Sequence, residues 1–189
     1  MTTNVEPKRD KDGNTALHLA AGAGVVNVCE LLIDSIHSRN NIGRTPLHFA
    51  AIRGYEKIFE MFLEKDPTGI KDKDNDGRTV LHLAAGAGIY SSIEIILKID
   101  PMSIKEKDNL GNTPLHYAAM NGKINSTKLL IGARDEKNNE GLTPLAMAVK
   151  NGHKAVIELL KEPEDEIPTI IAEIQERMDK VKQLIANKK

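Results

Sequence analysis

Residues Gly111–Gly122 read GNTPLHYAAMNG. Thr113 carries the side-chain oxygen of a helix N-cap, and Pro114 suits a first helical turn. Ala118 and Ala119 keep one helix face small, and Gly122 tolerates the left-handed backbone that ends a helix. The stretch predicts a short helix with a defined start and stop. It decides the fold because it recurs. GNTALHLAAGAG begins at Gly13, GRTPLHFAAIRG at Gly43, GRTVLHLAAGAG at Gly77 and GLTPLAMAVKNG at Gly141. The starts lie 30, 34, 34 and 30 residues apart, close to a period of about 33.

The columns continue outside the motif. Thr15, Thr45, Thr79 and Thr143 repeat the cap, and Pro46 and Pro144 repeat the proline. Gly24, Gly54, Gly88 and Gly152 repeat the stop. A second helix is predicted in each unit from apolar stripes such as Val28-Leu31-Leu32, Ile58-Met61-Phe62 and Leu159-Leu160. Polar turns follow, among them KDKDNDG (Lys71–Gly77) and KEKDNLG (Lys105–Gly111). Asp10, Asn40, Asp74, Asp108 and Asn138 stand three residues before the unit glycine, where an Asx side chain favours a turn.

These residues resemble the ankyrin repeat family. The TPLHxAA…G pattern covers five units within residues 11–161, starting near 11, 41, 75, 109 and 139, after a lead of residues 1–10. The resemblance implies an all-α fold: helix-turn-helix pairs with hairpin-like loops, stacked into a curved solenoid that buries each unit's apolar faces against its neighbours. Ala16 and Val80 replace the proline, and Ala146 replaces the histidine in the fifth unit, as suits a terminal repeat. Units one and four are shorter, so IDSIHSRNNIG and IGARDEKNNEG are expected to make a tighter connection to the next turn.

Composition excludes several function classes. The chain has 189 residues; 40% are apolar but only 3% aromatic, with no Trp, so the core must be built from Leu, Ile, Val and Ala. A net charge of -1 gives no reason to expect nucleic acid or an anionic membrane. A single cysteine, no apolar leader and no membrane-length apolar run lead us to expect a soluble, cytoplasmic protein.

Several residues invite a chemical reading. His18, His48, His82 and His116 recur once per unit, but stacked repeats hold equivalent side chains roughly 10 Å apart, too far for a shared metal. Local hydrogen bonding to each helix start is expected instead. His37 and His153 are expected to face solvent. Cys29 sits in an apolar stripe and reads as a buried thiol. The Gly22–Gly24 pair lacks the third glycine of a dinucleotide loop, Asn27 standing in its place. DKDNDG lacks the later glutamate of a calcium loop. No enzyme, cofactor or metal is expected.

The resemblance implies instead that loop tips and the exposed ends of the first helices grip a partner protein. Carried over residue by residue, those positions are Arg39, Asn41, Ile42, Arg44, Ile52 and Arg53 in unit two, and Lys73, Asn75, Asp76 and Arg78 in unit three. They are Lys107, Asn109, Leu110, Asn112, Met120 and Asn121 in unit four, and Lys137, Asn139, Leu142 and Lys150 in unit five. The same columns over all five units hold ten basic and three acidic residues on a chain of net charge -1. Apolar anchors rimmed by cations predict a concave, basic groove for an acidic segment with apolar anchors. The function expected is a non-catalytic interaction module or adaptor. The alternative is a regulatory or targeting segment for a catalytic region elsewhere. Frequent Lys, Asn and Ile suit an AT-rich genome, and ankyrin proteins of intracellular bacteria often act as effectors in host cytosol, so that setting belongs to the alternative.

Beyond the repeats, residues 162–168 (EPEDEIP) read as an acidic, proline-bounded linker and 169–189 as an amphipathic helix. Ile171, Ile174, Met178, Val181 and Ile185 alternate spacings of three and four. The helix is expected to cap unit five and leave a monomer; self-association through it, or continuation into a larger region, are the other readings.

Overall fold

The computed structural model describes residues 8–161. The linker 162–168 and the helix 169–189 lie outside the described residues, as does most of the N-terminal lead. Among the described residues there are ten α-helices and no strand; antiparallel bridges join Arg9 to Thr15 and Lys73 to Thr79. The helices form five pairs: α1 (Ala16–Ala23) and α2 (Val26–Leu31), α3 (Pro46–Arg53) and α4 (Glu56–Lys65), α5 (Val80–Ala87) and α6 (Tyr90–Ile99), α7 (Pro114–Met120) and α8 (Ile124–Leu129), α9 (Pro144–Lys150) and α10 (Lys154–Leu160).

Each first helix starts at its threonine in extended backbone, and in the first four units the histidine three residues later closes the cap. The Thr15 N–H donates to His18 Nδ1 at 3.2 Å, and Thr45, Thr79 and Thr113 repeat the bond at 3.0–3.1 Å. Because Nδ1 accepts, the ring proton sits on Nε2 and points at the next unit. It donates to the Arg44 carbonyl from His18 (2.9 Å), to Asn112 from His82 (3.0 Å) and to Leu142 from His116 (3.0 Å). One imidazole thus caps its own helix and ties two units together. His48 faces the equivalent carbonyl, that of Arg78, without closing a bond. In unit five, where Ala146 replaces the histidine, Thr143 Oγ1 alone accepts the Ala146 N–H.

The alanine pairs sit where neighbouring first helices meet, and all eight residues from Ala20 to Ala119 are at most 7% exposed. Leu17, Leu47, Leu81 and Leu115 fill the same layer. Short side chains here let the first helices approach closely, and the layer continues from unit to unit. The core, expected to be built from Leu, Ile, Val and Ala, also takes the fully buried Phe59 and Phe62 of α4. Gly24 ends α1 at φ 77°, and a Cβ there would lie 2.7 Å from the Tyr55 ring.

The short units differ from the expectation. Their missing residues come out of the second helix, which has ten residues in α4 and α6 but six in α2 and α8. The 3₁₀ turn that follows also shrinks, from five residues to three. In the long units Asp66 and Asp100 cap that turn by accepting the N–H of Thr68 and Met102 just ahead of Pro67 and Pro101. IDS and IGA carry no such cap. A lost helical turn, rather than a tighter loop, absorbs the deletion.

Candidate partner-binding face

The loops stack by a ladder of asparagines. The backbone N–H of Asn41, Asn75, Asn109 and Asn139 each donates to a carbonyl of the preceding loop at 3.0 Å. Their side-chain amides donate as well, to Lys11, Asn41, Asn75 and Asn109 carbonyls at 3.0–3.1 Å. Each amide closes a bond that would otherwise belong to water, which is why this column is Asn. These four positions, read from sequence as partner contacts, hold the loops together. Asn112 departs further from that reading: it is 7% exposed, and its side chain accepts from Asn138 at 2.9 Å. That amide is engaged inside the loop stack, although the residue still lines one of the hollows between loops and helices. Asn121 donates to the Gly86 carbonyl at 2.9 Å.

The cations are also largely engaged within the scaffold. Arg39 donates to the Gly43 and Lys73 carbonyls and pairs with Asp72 at 2.6 Å. Lys73 reaches the Lys107 carbonyl and Glu106, and Lys107 reaches the Lys137 carbonyl and Glu136. The Lys107 and Lys105 ammoniums hold the Glu136 carboxyl below its ordinary range. Arg44 and Arg78 share the carboxylate of Asp74, and Arg78 also meets Asp76. Burial pushes the Asp74 carboxyl up, but the Arg78 and Arg44 donors outweigh it and leave its pKa lowered. The tenfold cationic column therefore offers far less free charge than its count implies. Arg53, Lys137 and Lys150 stand exposed at the edge.

Two adjoining depressions open between the loop tips and the first helices. One, of about 250 Å³, is lined by Leu110, His116, Tyr117, Met120, Asn138, Met147 and Lys150 among others. The other, of about 320 Å³, is lined by Arg44, Ile52, Arg78, Leu83, Tyr117 and Met120 among others. Tyr117 and Met120 form the wall they share. Ile42 (47% exposed) and Leu110 (65%) project at the loop tips, whereas Leu142 is half-buried and contributes its carbonyl to His116. The structure thus brings Arg44, Ile52, Arg78, Leu110, Asn112, Met120, Asn121, Asn139 and Lys150 around the two hollows.

Three lining residues escaped the sequence reading: Leu83, Tyr117 and Met147. With Leu19 and Phe49 they occupy the variable position of LHxAA, one per unit. Variability inside a fixed motif was the available signal. Neighbouring side chains also crowd the glycines of GAG: a Cβ on Gly22 would lie 3.1 Å from the Phe49 ring, and one on Gly86 3.2 Å from the Asn121 amide nitrogen. Phe49 stands edge-on to His18 and Tyr117 edge-on to His82, with centroids 5.4 and 5.9 Å apart. The Tyr117 hydroxyl donates to Asp108 at 2.6 Å, and burial together with that carboxylate raises its pKa. This ring is fixed in place.

The remaining reactive groups are structural. Burial lowers the pKa of His18 and His116 and brings His48 and His82 to about 4, keeping the rings neutral. Cys29 is buried and its thiol is pushed up, opposite to activation as a nucleophile. His37 is exposed as expected. His153 is not: its Nε2 bonds the Met120 carbonyl at 2.8 Å and its ring packs on Gly122, tying unit five to unit four. Among the described residues no helix is long and apolar enough to cross a membrane.

Comparison with known proteins agrees with the geometry. A family model described as ankyrin repeats in three copies matches residues 2–72, 36–105, 65–137 and 99–170. Transient receptor potential cation channel subfamily A member 1 of Homo sapiens is 33% identical over 70 residues, covering 34% of this chain and 6% of the channel. Alpha-latrotoxin-Lh1a of Latrodectus hasselti is 38% identical over 68 residues, 34% of this chain and 5% of the toxin. Ankyrin repeat-containing protein ITN1 of Arabidopsis thaliana is 41% identical over 61 residues, 30% of this chain and 10% of that protein. The matched stretch thus spans a tenth or less of these relatives. Repeats of this kind are generally protein-interaction modules rather than catalysts. With overlapping repeat matches along the chain and stacked helix pairs closed by the Thr–His cap, the protein belongs to the ankyrin repeat family.

Proposed function

We propose that this chain is a non-catalytic module that binds a segment of another protein on the face formed by its loops and first helices. The observation that carries the reading is the pair of hollows sharing Tyr117 and Met120. They are apolar in their walls, open to solvent and edged by Arg44, Arg78 and Lys150, the mixture an interface needs. The scaffold behind them is fixed by side-chain and backbone bonds from unit to unit, so a partner meets a preformed surface and little ordering entropy is lost on binding. The partner segment is acidic with apolar anchors, because Arg44, Arg78 and Lys150 outnumber Glu140, the one carboxylate among the described residues lining the hollows.

The reading is tested by quantitative capture from a source lysate with three forms of the full chain. These are the native protein, Leu110→Glu with Met120→Glu in the hollows, and Glu60→Lys, exposed on the second helix α4. Proteins retained by native and Glu60→Lys chains but lost from the hollow variant support the proposal. Equal retention by all three overturns it.

A further inference from the structure

The larger hollow holds a specific polar device. Arg44 and Arg78 are each 21% exposed, and between them lies Asp74, whose side chain is fully buried. Asp74 Oδ2 accepts from Arg44 Nε at 3.3 Å and from Arg78 Nε and Nη2 at 3.0 and 2.8 Å. Its other oxygen accepts the backbone N–H groups of Asp76 and Arg78 at 3.1 and 3.0 Å. Asp76, 67% exposed on the loop, takes a further bond from Arg78. The carboxylate that orients the two guanidiniums therefore sits behind them, out of reach of a ligand. Among the described residues lining this hollow, Arg44 and Arg78 are the charged ones; the others include Ile52, Leu83, Tyr117, Met120 and Asn121. Neither terminal nitrogen of Arg44 makes a hydrogen bond among the described residues.

Two guanidiniums at the mouth of an apolar hollow match a ligand carboxylate, which can engage them with charge-assisted bonds in competition with Asp74. Low exposure strengthens such bonds relative to those of the solvated lysines along the loop edge. Next to it, across Tyr117 and Met120, the smaller hollow offers Leu110 and Met147 and suits a large apolar side chain. Neighbouring units stand roughly 10 Å apart, which an extended chain crosses in about three residues.

Resting on the proposed function and narrowing it, we infer a two-part docking site: Arg44 and Arg78 take one Asp or Glu of the partner segment, and the Leu110–Met147 hollow takes a large apolar side chain roughly two to four residues away along an extended chain. Recognition is then local to units two to five rather than a broad attraction to a basic groove.

The column containing Asp74 supplies a variant that separates this from mere stability. Its counterparts Asn40 and Asn138 accept the same pair of backbone N–H groups through one side-chain oxygen. Asp74→Asn keeps that turn and releases both guanidiniums. The experiment selects a displayed library of random peptides on the native full chain and measures the enriched peptides on variants, with circular dichroism confirming the fold. Enriched peptides should pair an acidic residue with a large apolar one at this spacing. Their affinity should rise about tenfold in Asp74→Asn and fall about tenfold in Arg44→Gln and Arg78→Gln. Enriched peptides without an acidic residue, no enrichment at all, or Asp74→Asn binding no better than native would overturn the site. Apolar peptides lost only from Leu110→Glu with Met120→Glu would sink the carboxylate slot while leaving the binding face standing.

Discussion

Acidification should destabilise this protein before its carboxylates are protonated. His48 and His82 are fully buried, and burial lowers their pKa from 6.5 to about 4. In the unfolded chain each ring takes up a proton near 6.5; in the native state it resists until about 4. Between those values the unfolded state binds more protons, so stability falls as pH falls, by up to about 1.4 kcal/mol per unit per ring. The stabilisation is complete above pH 6.5 and gone below pH 4. At pH 5 each ring has cost about 2 kcal/mol and the pair about 4, a large share of a typical stability of 5–15 kcal/mol. His18 and His116 shift in the same direction and add to the loss. Asp74, lowered instead, acts only below the ordinary carboxylate range. Urea unfolding followed by circular dichroism at pH 7.5, 6 and 5 measures the slope, and the imidazole proton resonances give the pKa of each ring. His82→Gln, which cannot take a charge, should start less stable at pH 7.5 and lose less by pH 5. Native rings titrating at 6 or above, or a urea midpoint unchanged from pH 7.5 to 5, would refute the reasoning.

Three further outcomes follow from single contacts. Asn75→Ala removes the side-chain bond to the Asn41 carbonyl and should cost about 1 kcal/mol in urea unfolding. Ser126 is buried in α8 with its hydroxyl unpartnered, where Ile58 and Val156 fill the equivalent place; Ser126→Ala should stabilise by about 1 kcal/mol in the same assay. Gly24→Ala forces a Cβ against the Tyr55 ring at positive φ and should lower the thermal midpoint, with a loss of about 1–2 kcal/mol.

Sequence carried the fold because stacking repeats force each column into one environment. Thr, His, the alanine pair and the closing glycine are each required by a local geometry, so their recurrence is itself structural evidence. The loop columns were harder to read. Asn75 and Asn109 look like recognition residues when only their exposure is considered, yet their amides bond to the next loop. Likewise a count of cations at Arg39, Lys73 and Lys107 says nothing about Asp72, Glu106 and Glu136, which lie elsewhere in the sequence register and neutralise them. Tyr117 and Met147 went unnoticed because an apolar residue inside a helical motif reads as core; only the stacking geometry turns that position outward. The shortened α2 and α8 were legible as a missing four residues, but not as a missing helical turn.

The central claim, that the Tyr117–Met120 face is where a partner sits, is tested most directly by site-specific photo-crosslinking of the full chain in its source lysate. A photoreactive residue at Met120 should trap a discrete protein adduct that the same group at Glu60 does not, and Arg78→Gln should weaken the adduct. An adduct at Glu60 with none at Met120 would contradict the account.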